Sequence, residues 1–259
     1  MDKTILYLSQ DKDEQMLLVR LSQRLQNAMQ RNVFCSTGFL SSREQMLLCR
    51  LFSKNSLALF GGYETAERKI AAFLPDYFDE SQFSGEGSPI AAVRAEFFEK
   101  DLLTHRDFLG ALMGVGIKRE TVGDILVGRG CCDFFLMREM LPYVLENLTS
   151  AGRTALHLKE IPICAICVPE QNIKTVHDTV SSLRLDSVIG SGFSVSRAKA
   201  CELIVSARAE INHTPCQKSD KPVAAGDVIS VRGLGKIKLE SVDGTTKKGR
   251  LGITVSRYL

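Results

Sequence analysis

Apolar residues recur along the chain in two rhythms, one helical and one alternating. Between residues 13 and 31, Leu17, Leu18, Leu21, Leu25 and Ala28 share one stripe, which predicts an amphipathic helix. Ser41 and Glu44 have capping-box spacing ahead of Met46, Leu47, Leu48 and Leu51, which predicts a second helix. Residues 57–60 read as a short buried strand closed by Gly61 and Gly62. Residues 64–73 read as a helix that stops before Pro75. A turn-rich stretch, 81–88, then separates this αβ module from a second one.

From residue 90 the expected order is β-α-β-β-α-β. Residues 90–98 read as a strand. A helix starts at Thr104, with Asp107 at the third position of a capping box, and ends near Gly114 and Gly116. Strands 124–127 and 133–137 flank Gly128-Arg129-Gly130. A helix over 138–150 stops at Gly152, and 154–161 is the last strand. That order predicts a ferredoxin-like, RRM-like unit. Residues 170–182 are polar and read as a helical connector. Beyond them, 183–193 reads as a short helix broken by Gly190 and Gly192. Ser194 or Ser196 caps a helix over 197–207, whose buried stripe is Ala200, Leu203, Ile204 and Ala207. Strands are expected at 228–232, 236–239 and 251–255, with a hairpin turn at Asp243-Gly244. The fold class is therefore α+β in three small domains: 1–80, 81–168 and 181–259.

Composition narrows the function. No apolar run reaches the roughly 18 residues that cross a bilayer, and Met1 is followed by Asp2 and Lys3 rather than a signal segment. A cytoplasmic protein with no membrane contact is expected. The 8 cysteines are expected to be reduced. Cys164 and Cys167 form one CxxC, but no second pair completes a zinc site. Their stretch, 161–168, reads as a strand, which would turn the two thiols to opposite faces. No metal or cofactor is expected. His105-Arg106-Asp107 echoes a kinase catalytic loop, yet Leu112 stands where that loop needs asparagine. Nothing assembles a nucleophile, a base and an oxyanion donor, so no enzymatic activity is expected.

Charge changes the picture most. The chain carries a net +3, but residues 181–259 hold 13 Lys and Arg against 7 Asp and Glu. That segment is thus +6, and the remainder, with 20 against 23, is −3. Arg197 and Arg208 are about three helical turns apart and are expected on one face, flanked by Lys199. Lys236 and Lys238 alternate with apolar residues, so one strand face is core and the other positive. Lys247, Lys248 and Arg250 follow in a loop. Two cationic surfaces, one helical and one on the hairpin, would straddle an RNA backbone; the alternative is a solvated basic face. Only Phe193 and Tyr258 are aromatic here, which favours structured RNA over base stacking. The candidate RNA contacts are Arg184, Ser196, Arg197, Lys199, Arg208, Asn212, Lys218, Lys221, Arg232, Lys236, Lys238, Lys247, Lys248 and Arg250.

Several stretches resemble known families. Residues 184–193 (RLDSVIGSGF), Ser196-Arg197, Lys199-Ala200, Ile211-Asn212 and residues 226–233 (GDVISVRG) resemble the RNA-binding αL motif of ribosomal protein S-four. Residues 60–63 (FGGY), 66–69 (AERK), 74–77 (LPDY), 105–110, 116–119 (GIKR), 123–125 (GDI) and 246–250 (TKKGR) resemble the YlmH family. The resemblance spans almost the whole chain. It implies an amino-terminal module, a central RRM-like domain and an S-four-type domain. It also implies a monomeric cytosolic bacterial factor that binds the large ribosomal subunit, its rRNA and tRNA, in rescue of stalled nascent-chain complexes. Phe134 and Phe135 lie in the central domain without the basic-Gly-aromatic pattern that stacks bases, so a protein contact or a spacer also fits it. Two other classes stay open. One is an RNA-modifying enzyme of the pseudouridine-synthase kind, for which Arg184-Leu185-Asp186 is a partial echo. The other is a scaffold associated with cell division.

Overall fold

The computed structural model describes residues 3–52, 56–78, 85, 87–169, 172–246 and 249–258. The chain divides into two units, 1–169 and 170–259. In the first, α1 (Lys3–Leu8) precedes α2 (Lys12–Arg31), which Asp11 caps by accepting from the N–H groups of Asp13 and Glu14. Of the predicted stripe Leu18, Leu21, Leu25 and Ala28 are buried, and Leu17 is half-buried. After β1 (Cys35–Ser36), α3 (Ser42–Cys49) carries the expected capping box between Ser41 and Glu44. β2 (Ala58–Phe60) and β3 (Ile70–Phe73) complete a three-stranded sheet ordered β1-β3-β2. Residues 64–73 are therefore a loop and a strand, not a helix. Ile70, Ala71 and Ala72 are all fully buried, a demand met by a central strand covered on both faces.

β4 (Ile90–Glu96), α4 (His105–Gly114), β5 (Val122–Val127), β6 (Cys131–Met137) and α5 (Leu141–Asn147) follow. The small hairpin β7 (Ser150–Ala151) and β8 (Thr154–Ala155) leads to β9 (His157–Ile161). The sheet order is β5-β6-β4-β9, with every neighbour antiparallel. One face packs on α4 and α5 through Val93, Phe134, Leu136, Phe108, Leu112 and Val144. The opposite face is equally buried: Ile90, Ala92 and Phe135 pack on Phe39, Ile70 and Ala72 of the preceding elements. Asp124 fastens this contact. It accepts from the Tyr63 hydroxyl (2.8 Å) and from the N–H groups of Glu67 (2.7 Å) and Arg68 (3.0 Å). Burial and the neighbouring Asp124 carboxylate push the Tyr63 phenol up, so it stays a donor. The Tyr63 ring stacks on Phe135, 5.8 Å between centroids. Gly62 (φ +94°) leaves no room for a side chain, because a Cβ there would stand 2.0 Å from Phe135.

Residues 81–84 and 86 of the expected joint lie outside the described residues. Residues 163–165 form a 3-10 turn, not a strand. Both CxxC thiols are exposed, and the Cys167 N–H donates to Asp133 (2.8 Å). Asp133, 2% exposed, pairs with Arg94 through two bonds of 2.7 and 2.6 Å. Among the described residues no His, Cys, Asp and Glu cluster could hold a metal, and no helix is long and apolar enough to cross a membrane.

The second unit opens with β10 (Ile173–Val180), where a helical connector was expected. All 8 of its residues pair with β15 (Leu251–Tyr258). Val176 and Val180 turn into the core while Thr175, His177 and Thr179 turn away, the period of a strand. Between them come α6 (Leu185–Phe193), α7 (Arg197–Val205), β11 (Ala209–Ile211), β12 (Thr214–Pro215), β13 (Val228–Val231) and β14 (Gly235–Thr245). They form a six-stranded sheet ordered β10-β15-β14-β13-β11-β12. Gly190 and Gly192 do not break α6. A Cβ on Gly192 would stand 2.6 Å from Ile237 Cδ1, so the glycine lets the helix lie close on the sheet. β14 runs straight through Asp243-Gly244 with two register shifts, and the turn lies later, where the Gly249 N–H donates to the Thr246 carbonyl (2.8 Å).

Because Phe135 is fully buried beneath Tyr63, Phe135→Ala is expected to cost about 3–5 kcal/mol, read by urea denaturation of the full chain. A ring serving RNA would instead leave the unfolding midpoint in place.

Candidate nucleic-acid interface

The start of α6 is held by a neighbouring loop. The N–H of Leu185 donates to the Lys221 carbonyl (2.9 Å) and that of Asp186 to the Ser219 carbonyl (3.1 Å). Exposed Lys218 and Lys221 thereby come to the same end of the unit as Arg184. The residue at the centre is an acid. Asp186 accepts from Arg184 Nε (3.2 Å) and Nη2 (3.4 Å), from Arg197 Nε (2.9 Å) and from Ser187 Oγ (3.3 Å). Its side chain is 2% exposed, against 39% for Arg184 and 56% for Arg197. Two guanidinium groups on one carboxylate leave one net positive charge, carried on the exposed partners. Burial raises the Asp186 pKa, but the bonds from Arg197 and Arg184 outweigh it and hold the carboxyl below its ordinary 3.8.

Arg197 reaches Asp186 because Ser194 (φ +56°) ends α6 in the left-handed region and Ser196 opens α7 as its cap, accepting from the Lys199 N–H. Across from it, Arg250 donates to the Thr179 carbonyl of β10. Arg197 and Arg250 line one hollow of about 280 Å³ together with two acids, Asp178, which accepts from the Ser191 hydroxyl, and Asp186, which accepts from Arg184 and Arg197. A helix and the hairpin thus do meet, but through Arg250.

The other predicted contacts are dispersed. Arg208 lies beyond the end of α7, after Ala207 at φ +57°, so it does not share a helix face with Arg197. Its carbonyl accepts from the Arg232 N–H (2.9 Å), and these two arginines line a separate hollow of about 400 Å³ with Glu210. Lys199 is paired with Glu202 (2.7 Å). Lys236 and Lys238 alternate with buried Ile237 and Leu239, so they occupy the sheet face away from α6 and α7. There Lys236 sits 4.9 Å from the centre of the Tyr258 ring, and Lys238 pairs with Glu240 (2.8 Å). Ser196 and Asn212 serve the fold. The Asn212 amide donates to Asp227 (2.7 Å) and accepts from the Val228 N–H (2.9 Å). Lys247 and Lys248 lie outside the described residues. The sequence reading places Asp186 in the Arg184-Leu185-Asp186 echo but not among the RNA contacts, since an acid counts against phosphate binding. Its local signal was Arg184 two positions earlier; Arg197, eleven positions on, reaches it only through the turn between α6 and α7.

Residues 94–165 match the family described as "Putative RNA-binding domain in YlmH". The chain is 34% identical over 226 residues to "Ribosome-associated protein quality control protein P2" of Bacillus subtilis (strain 168), covering 85% of this chain and 86% of that protein. Among solved structures, "Cell division protein ylmH from Streptococcus pneumoniae" aligns with a TM-score of 0.49 at 20% identity, over 60% of this chain and 94% of that one.

The lowered pKa of Asp186 makes its stabilising contribution complete above the unfolded value and lost as pH falls through the folded one, below 3.8. An acid titration followed by circular dichroism should therefore show a late acid limb that Asp186→Asn makes shallower.

Proposed function

The chain belongs to the YlmH family, and from that membership we propose that it is a non-catalytic RNA-binding factor of the ribosome. Its ligands are structured RNA, namely rRNA of the large subunit and tRNA, and its task is the rescue of stalled nascent-chain complexes. The name of the Bacillus subtilis relative, a ribosome-associated quality control protein, supports that task by kinship. The central β-α-β-β-α-β element order supports an RRM-like reading of residues 81–168. The helix pair laid on a sheet supports an S-four-type reading of the last unit. It acts as a cytoplasmic monomer.

One observation carries the assignment of the surface. Arg197 and Arg250, 53 positions apart, line the same hollow beside a helix start, with Arg184 close by. Phosphates are bound by such convergent guanidinium groups, through paired hydrogen bonds and counterion release. The sheet face opposite the helices fits RNA less well, since it offers lysines where the hollow offers two planar guanidinium groups, and Lys238 there is paired with Glu240.

The test is cosedimentation of the full chain with purified large ribosomal subunits over a range of salt. Joint replacement of Arg197 and Arg250 by alanine is expected to weaken binding and reduce the salt slope by about 2, near one per lost phosphate contact. Joint replacement of Lys236 and Lys238 by alanine should change it little. Equal effects of the two pairs would dismiss the hollow as the contact.

A further inference from the structure

We infer that Asp186 is a positioning residue for RNA: a buried acid that makes the arginines of a basic surface competent to bind phosphate. This rests on the reading of the hollow given above. The carboxylate is itself fixed from the backbone, in the first turn of α6 and with its N–H on the Ser219 carbonyl. It collects Arg184 from one side and Arg197 from the other, and Cys201 Sγ approaches the same oxygen as Arg197 at 3.7 Å. Arg197 engages it through Nε, so its two terminal nitrogens, which bond no described residue, remain for a phosphate. A guanidinium on a long flexible stem loses much rotational freedom when it binds. One already held by an internal acid has lost that freedom during folding.

Charge counting and positioning predict opposite signs. Asp186→Asn removes a negative charge from a surface that attracts polyanions, so long-range attraction alone predicts tighter binding. If the acid organises the arginines, the same change weakens binding by about tenfold, because two like charges lose their common partner and spread apart.

The experiment uses the full chain and purified large ribosomal subunits, with affinity measured at several salt concentrations and the folded fraction checked by circular dichroism. Four proteins are compared: the unaltered chain, Asp186→Asn, Arg197→Lys and the double variant. Arg197→Lys keeps the charge but loses the planar fork, and its exposed position spares the fold. The expected result is a loss of about tenfold for each single variant, with the double variant losing clearly less than the two losses combined, since Asp186 acts in part through Arg197 and in part through Arg184. A folded Asp186→Asn chain that binds as well as the unaltered one, or better, overturns the inference while the RNA-binding reading stands. Additive losses overturn it as well, because a purely structural acid would not couple to Arg197. Should Asp186→Asn fail to fold, undiminished binding by Arg197→Lys overturns it. An unaltered chain without salt-dependent binding sinks the RNA-binding reading first.

Discussion

A carboxylate withdrawn from water must collect donors, and among the described residues each unit of this protein holds one such buried acid, Asp133 in the first and Asp186 in the second, with half-buried Asp124 also in the first. In the first unit Asp133 gathers Arg94 and the Cys167 N–H, tying the segment after β9 back to the sheet. Asp124 gathers a phenol and two backbone N–H groups from the preceding module. In the second unit Asp186 gathers two arginines. The difference lies in what the donors do afterwards. Tyr63 and the N–H groups are consumed by the fold. The arginines at Asp186 remain exposed at their ends, so the same device that closes a core in one unit displays charge in the other.

The two sheets divide their faces accordingly. In the first unit both faces of the four-stranded sheet are spent, one on α4 and α5 and the other on the amino-terminal elements. Phe135 is on the face where an RNA-binding sheet stacks bases, but it is covered by Tyr63 of the same chain. In the second unit one face carries the helices, and among the described residues of that unit no helix packs on the other. The net +6 of residues 181–259 is therefore not a single surface. Arg184, Arg197 and Arg250 gather on one side, Lys236 and Lys238 on the other, and Arg208 with Arg232 forms a third group.

Local signals were legible wherever a few adjacent residues decide the outcome. The stripe of α2, the capping box at Ser41 and Glu44 and the alternation along β14 all read correctly because each depends on near neighbours. The misread stretches are those that distant residues decide. Ile70-Ala71-Ala72 is a strand because two other strands and a second sheet bury it. Residues 173–180 look too polar for a core element, yet an edge strand needs to bury only its alternate side chains. Gly190 and Gly192 mimic a helix break, but the space Gly192 leaves is filled by Ile237 and Val255, far along the chain. Arg197 and Arg208 have helical spacing, but Ala207 turns left-handed between them. Most of the candidate contacts are cations, and spacing alone does not say that Glu202 and Glu240 pair with two of them.

β10, which stands where the sequence predicts a helical connector, lines the same hollow as Arg197 and Arg250. Arg250 takes its place by donating to the Thr179 carbonyl, and Thr179 belongs to β10. Ser191 of α6 is held in the same neighbourhood by Asp178, also of β10 (2.7 Å). A domain cut at residue 181 would keep every candidate cation and lose the partners that fix Arg250 and Ser191. It would also uncover the edge of β15 along all 8 paired residues. Without β10, Arg184 and Arg197 would keep their common partner Asp186, but Arg250 would lose the carbonyl that brings it to the same hollow: which strand closes the sheet decides how many of these arginines gather, and the count of positive charges does not.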